Sequence, residues 1–491
     1  MFDCLQFCYF NLNDSSKMIM PMKISGSTYL ILICLTAGLG GFLFGFDTAV
    51  ISGGINFLRT QFQLSAAMEG WIMSSALLGC VSGAAIAGWM ADRFGRKMVL
   101  AASAWLFIIS AIYCAVAITP THLVIARLIG GVGVGFAAMV APMFISEMAP
   151  AHLRGRLVSL YQLSITLGIL CSYLSNAWLL NIAGSTRFGN WMDFYFVDEV
   201  WRAMLGSNAI PAILFYLMLL LVPESPRWLI AKGKNQQGLD ILSRINGPEK
   251  AQIESEEIIA TLKEENGSFN ELFSKKFRIA LLIGLVLPFL SQLSGITTVM
   301  YYAPAIFEKA GFQASSAMGT AALIGFFNMI FTVVAIWKID VWGRKPLLIA
   351  GFGGLSIALL AIGGLFSGGQ GTILLVAAFI FYIAVFAATL GPGVWVVIAE
   401  IYPTSIRGRA MSLATLSLFL GSTFVTQTYP LLRESIGIGM TFMLYGLVMI
   451  PALFFVIKYI PETKGRTLEE IEHNWKEKAH QKEEKTYLTT T

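Results

Sequence analysis

Long apolar blocks alternate along this chain with short polar connections. Twelve blocks stand out, at 28–52, 67–90, 98–118, 122–145, 157–181, 201–222, 278–303, 316–338, 346–367, 372–399, 409–430 and 438–459. Each runs about twenty residues, enough for an α-helix to cross a bilayer core of ~30 Å. Helices are expected because a bilayer core holds no water to satisfy open backbone groups. A transmembrane barrel would show short segments of alternating polarity instead. The pattern predicts an all-α membrane protein with twelve transmembrane helices.

The polar connections repeat. "DRFGRK" (92–97) follows the second block and "DVWGRK" (340–345) the eighth. "SEMAPAHLRGR" (146–156) follows the fourth and "AEIYPTSIRGR" (399–409) the tenth, while "PESPRW" (223–228) and "PETKGR" (461–466) follow the sixth and twelfth. Three pairs in one order mean two pseudo-symmetric six-helix bundles. The expected domains are a tail at 1–27, a bundle at 28–223, a polar linker at 224–277, a second bundle at 278–460 and a tail at 461–491. Within the linker, "GLDILSRI" and "SEEIIATLKEE" read as short amphipathic helices.

Composition agrees: 56% of the 491 residues are hydrophobic and only 13% charged, too few for a soluble surface. Connections after even-numbered blocks hold 19 lysines and arginines, block edges included, against five after odd-numbered blocks. That bias places the even connections and both termini in the cytoplasm. The net charge of +5 reflects this sidedness rather than a nucleic-acid footprint. No signal-peptide pattern opens the chain. The cysteines (4, 8, 34, 80, 114, 171) and histidines (122, 152, 473, 480) have no metal-ligand spacing, and no disulfide framework is expected. The glycine run at 130–135 follows no strand, so it is not a nucleotide loop. No nucleophile–base set appears, so neither an enzyme nor a bound cofactor is expected.

Each repeated connection has a physical reading. Gly95 permits a tight turn, and Asp92, Arg93 and Arg96 can cluster there, as Asp340 and Arg344 can in the second copy. Glu147 and Glu400 each stand seven residues before an arginine, Arg154 and Arg407. Such pairs can tie helices together on one side and release them, so the set reads as a gating network; basic loops that only fix topology are the plainer alternative.

The first block carries Asp47, between Phe44, Phe46 and Val50. A charge at mid-membrane costs about 3 kcal/mol or more, so it should face the protein interior and find a partner. Arg127, the basic residue within the fourth block, is the candidate. Gly41/Gly45 and Gly131/Gly135 give these two blocks small-residue faces for close approach.

Taken together, the "PESPRWL" and "PETKG" stretches, both "RGR" copies and both "GRK" copies in register resemble the sugar porter branch of the major facilitator superfamily, over roughly 25–475. Within it the chain is similar to the bacterial D-xylose–proton symporter group. The resemblance implies two bundles that expose a central site alternately to each side. It implies that Asp47 is the proton site, with Arg127 its modulator. Facilitative relatives commonly carry an uncharged residue there, so Asp47 favours symport. Gln162 in "YQLSITLG" matches the family's sugar-binding glutamine. In "SQLSGITTVMYYAP", Gln292, Gly295 and Tyr302 fit the family's "QQxxGxNxxxYY", while Ser291 and Thr297 replace its usual glutamine and asparagine. Asn328, Phe44, and Gly391 with Trp395 in "GPGVW" complete the expected sugar site. Leu418, Phe419 and Ser422 depart from the amides usual in the eleventh helix. Amides and hydroxyls suit a sugar's hydroxyls, and rings suit its apolar faces.

The expectation is import of a pentose or hexose with protons, by a protein held by lipid in the plasma membrane, a bacterial inner membrane. A facilitative uniporter of a sugar or inositol-type polyol is the alternative within this class. A non-transporting sugar sensor is the alternative outside it. Oligomeric state is not legible.

Overall fold

The computed structural model describes residues 26–150, 153–264, 273–274, 277–368, 372–402 and 404–462, with the side chains of 261–264, 339–340, 372 and 404–407 left outside. No strand occurs among the described residues. Eleven of their helices are long and apolar enough to cross a membrane. The last, Gly408–Tyr459, spans two predicted blocks joined at Gly437, whose backbone (φ 82°, ψ 163°) is not helical. The twelve predicted segments are therefore all helical.

The chain divides into two compact units, within 1–265 and 266–491. The first begins with α1 (Gly26–Phe62), α2 (Ala66–Phe94), α3 (Arg96–Ala115), α4 (Pro120–Met148) and α5 (Arg154–Ser185). Ser65 caps α2 by accepting from Met68 N at 3.3 Å, and Thr119 caps α4, with Pro120 pre-set for the first turn. The expected small-residue faces are present, but they do not pack on each other. Gly41 and Gly45 of α1 meet the backbone of α5 at Tyr161 and Ile165. Gly131 and Gly135 of α4 meet α2 at Ala76 and Cys80. Backbones this close leave no room for a Cβ, the usual device for joining helices where lipid supplies no hydrophobic drive.

The sixth predicted segment is broken into α6 (Val200–Gly206) and α7 (Ala209–Leu221). Pro211 has no N–H for the carbonyl of Ser207, which accepts from Ile210 N at 3.1 Å instead. The linker helices α8 (Pro226–Ala231), α9 (Asn235–Asn246) and α10 (Pro248–Glu264) fall in the first unit. Ile230, Leu242 and Ala251 form their small core, and the Arg244 guanidinium lies 4.5 Å over the ring of Tyr29 on α1.

The second unit contains α11 (Arg278–Gln292), α12 (Ile296–Lys309), α13 (Ala314–Trp342), α14 (Arg344–Ser367), α15 (Thr372–Ala388), α16 (Leu390–Ile401) and α17 (Thr404–Tyr459). Two predicted segments are interrupted here as well. Gly295, at φ 80°, separates α11 from α12, and Thr389 separates α15 from α16. The second break follows from Pro392, which cannot donate to the carbonyl of Ala388. Large apolar side chains such as Trp178 (62%), Ile210 (74%) and Trp337 (81%) stand exposed on the spans. That much open apolar surface fits contact with lipid, not water.

Candidate functional site

Asp47 sits on α1 and is 7% exposed, while Arg127 on α4 is 2% exposed. The Arg127 Nη2–Asp47 Oδ2 distance is 3.8 Å, an ion pair too long for a strong hydrogen bond. The other carboxylate oxygen has a partner that sequence reasoning missed. Asn208 Nδ2 donates to Asp47 Oδ1 at 3.3 Å. Asn208 lies in the break between α6 and α7 and is 2% exposed. Its own Oδ1 is buried without a hydrogen-bond partner. The signal for it was Pro211 three residues on: a proline in a membrane segment marks a helix break, and broken helices cluster at transport sites.

In the second unit three residues that depart from the family pattern, Ser291, Thr297 and Ser422, come together at Gln292. Gln292 Oε1 accepts from Thr297 Oγ1 at 3.0 Å and from Ser422 Oγ at 2.9 Å. Gln292 Nε2 faces Ser291 Oγ at 3.4 Å. The helix end at Gln292 and the left-handed Gly295 let α12 turn Thr297 back onto this amide. Gly421 brings α17 close, since its missing Cβ would lie 3.2 Å from Gln292 Cβ. Tyr302 is fully buried, its ring 4.8 Å from that of Tyr429. Asn328 is buried on α13; Gly391 and Trp395 lie half-buried on α16. Phe44 and Gln162 lie half-buried in the first unit, on α1 and α5. Gln162 falls in the same unit as Asp47, and Gln292 in the same unit as Trp395.

The three repeated motifs converge in each unit. In the first, Arg96 Nη2 pairs with Glu147 Oε1 at 2.9 Å and Arg96 Nε donates to Glu147 Oε2 at 3.0 Å. Asp92 flanks Arg96 at 3.3 Å. Glu224 Oε1, from "PESPRW", accepts from the backbone N–H of Arg96 at 2.9 Å and of Ser225 at 2.8 Å. Lys97 N donates to the same carboxylate at 3.1 Å. The N–H groups of Arg96 and Lys97 open α3, where a helix presents unpaired donors and a partial positive charge. Burial pushes the Glu224 carboxyl up to about 7, against the pull of these N–H groups and of Arg96. In the second unit, Arg344 Nη2 pairs with Glu400 Oε1 at 2.8 Å, and Glu462 accepts from Arg344 N and Lys345 N, both at 3.1 Å.

Two expectations are corrected. Glu147 pairs with Arg96 and not with Arg154, which instead donates to the Ser146 carbonyl at 3.0 Å. Arg154 begins its own helix, α5, and its side chain meets the last turn of α4 at the Ser146 carbonyl, leaving the Glu147 carboxylate to Arg96. Arg93 does not join the carboxylates; its guanidinium lies 5.5 Å over Trp89 and Phe94. The side chains of Asp340 and Arg407 lie outside the described residues. Glu224 and Glu462 stand in the quoted motifs, but sequence reasoning assigned them no role.

The chain matches the family described as "Sugar (and other) transporter" over residues 33–475. It is 40% identical to the arabinose-proton symporter of Bacillus subtilis, over 91% of this chain and 95% of that protein. It is 37% identical to the D-xylose-proton symporter of Escherichia coli, over 91% and 96% of the two chains. Among solved structures it resembles the E. coli xylose transporter in its inward-open conformation, with a TM-score of 0.79 at 37% identity over 91% of this chain and 100% of that one.

Proposed function

This chain belongs to the sugar (and other) transporter family, within the major facilitator superfamily, and we propose that it imports a monosaccharide together with protons by alternating access. It is a transporter and not an enzyme. The observation that carries coupling is the buried Asp47–Arg127 pair with Asn208 on the second carboxylate oxygen. A carboxylate left alone in this interior would cost several kcal/mol, and taking a proton removes that cost. Arg127, 3.8 Å away, is the group whose approach favours the ionised form and whose withdrawal favours proton uptake. The sugar-recognition set in the second unit is Gln292, Thr297, Tyr302, Asn328, Gly391 and Trp395; Phe44 and Gln162 are the candidates in the first. The Arg96–Glu147 and Arg344–Glu400 pairs act as cytoplasmic clasps within their units. The relatives' names make arabinose and xylose the first sugars to test.

The test is sugar-driven proton entry. Cells expressing the protein are de-energised in weak buffer and given one sugar at a time. A transported sugar should make the medium more alkaline, and a protonophore should abolish the signal. Labelled sugar that equilibrates with no pH change for any substrate would make the protein a uniporter.

A further inference from the structure

Three hydroxyls surround one amide in the second unit, and their bonding fixes which way that amide faces. Ser291 Oγ donates its hydrogen to the Pro288 carbonyl at 2.7 Å. It can therefore only accept from Gln292, which selects the amide nitrogen for that side. The amide oxygen then lies toward Thr297 and Ser422, and both hydroxyls donate to it, at 3.0 and 2.9 Å. Two donors occupy the two lone pairs of Oε1. Gln292 and Ser422 are 7% and 2% exposed, so water competes little for the bond between them, while Thr297 is half-buried. What remains of the amide is the second N–H of Nε2, for which no acceptor occurs among the described residues. The substitutions at Ser291, Thr297 and Ser422 thus act as one lock.

We infer that Ser291, Thr297 and Ser422 fix Gln292 as a hydrogen-bond donor only, so that it selects a sugar hydroxyl by that hydroxyl's oxygen lone pair. This rests on the proposal that Gln292 binds sugar, and it adds a direction to that contact. An unlocked glutamine can turn its amide over and serve a hydroxyl as donor or acceptor. A locked one cannot, and the difference is readable by chemistry. Replacing a hydroxyl by hydrogen removes donor and acceptor together. Replacing it by fluorine removes the donor and keeps a weak acceptor.

The experiment measures affinities of the purified protein for each deoxy and deoxyfluoro analogue of a sugar it binds. The proteins compared are the parent, Gln292→Ala and the double variant Thr297→Val with Ser422→Ala. The position Gln292 senses is the one whose deoxy penalty disappears in Gln292→Ala. There the parent should lose about tenfold with the deoxy sugar and only about threefold with the fluoro sugar. In the double variant Oε1 is free to accept from the parent sugar's hydroxyl as well, so the fluoro sugar should lose about tenfold rather than threefold. Equal losses for both analogues in the parent would overturn the lock. So would a weakened Gln292→Ala with no hydroxyl position assigned to it. Unchanged sugar affinity in Gln292→Ala would instead remove the binding role on which the lock rests. A single Ser291→Ala variant serves as a second check: it frees the nitrogen side and should also deepen the loss on fluorination. If the double variant fails to fold, a parent-like loss on fluorination in Ser291→Ala overturns the lock.

Discussion

Replacing Glu224 by glutamine asks whether a half-buried carboxyl at the start of α3 burdens the fold when it ionises. Burial pushes the carboxyl from the ordinary 4.5 up to about 7, against the N–H groups of Ser225, Lys97 and Arg96 and the charge of Arg96. A raised acid contributes stability that is fully present below its unfolded value and lost as pH rises through the folded one. The window is therefore pH ~4.5 to ~7. Each pH unit in it is worth about 1.4 kcal/mol, so full ionisation costs roughly 3 kcal/mol. Glutamine keeps the shape and one carbonyl oxygen for the same N–H groups, and it cannot ionise. At about 2 °C per kcal/mol for a unit of this size, the parent should lose on the order of 5 °C more than Glu224→Gln between pH 5 and pH 8. Scanning fluorimetry of both proteins in one detergent, at matched ionic strength, measures this difference. Other titrating groups are common to both and cancel. Parallel curves would show that the three N–H bonds hold Glu224 ionised throughout.

Further outcomes follow from single contacts. Asn208→Leu removes the 3.3 Å bond to Asp47 at similar volume and should lower concentrative uptake about tenfold, with counterflow at saturating sugar within about twofold; equal loss of both would make Asn208 a structural residue only. Gly45→Ala drives a methyl into the Ile165 carbonyl and should cost about 2 kcal/mol or more, read as a drop in melting temperature. Gly184→Ala, which meets nothing within 4 Å, is the control that should leave it unchanged. A double-mutant cycle on Arg344→Leu and Glu400→Leu should give a coupling of about 1–3 kcal/mol by thermal unfolding, and additive effects would dissolve that clasp.

The twelve segments and the duplication were legible because a bilayer imposes a length on every helix and because the "GRK" and "RGR" stretches repeat in register. The breaks were not. Pro211 and Pro392 sit inside blocks whose hydropathy is unbroken, and hydropathy does not report a missing N–H. Asn208 was hidden for that reason: with Ser207 it reads as a short polar interruption of an apolar run until the break turns it onto Asp47. Arg127 was found because an unpaired charge in a membrane demands a partner, and few were available. The mispairing of Glu147 with Arg154 came from preferring a neighbour in sequence. In the fold, the turn at Gly95 brings Arg96 to the end of α4 from 51 residues away. The replacements at Ser291 and Thr297 were visible as departures. Their common target, Gln292, was not, because it depends on Ser422 reaching across from α17.

The central claim is that Asp47 carries the coupled proton, and one variant measured two ways tests it. Asp47→Asn keeps an amide of the same shape beside Arg127 and cannot release a proton. In sealed vesicles with an inward proton gradient, the parent should accumulate sugar above its external concentration and the variant should only equilibrate it. In the same vesicles without a gradient, the variant should still exchange labelled for unlabelled sugar at a rate comparable to the parent's. Accumulation by Asp47→Asn against a sugar gradient would contradict the account.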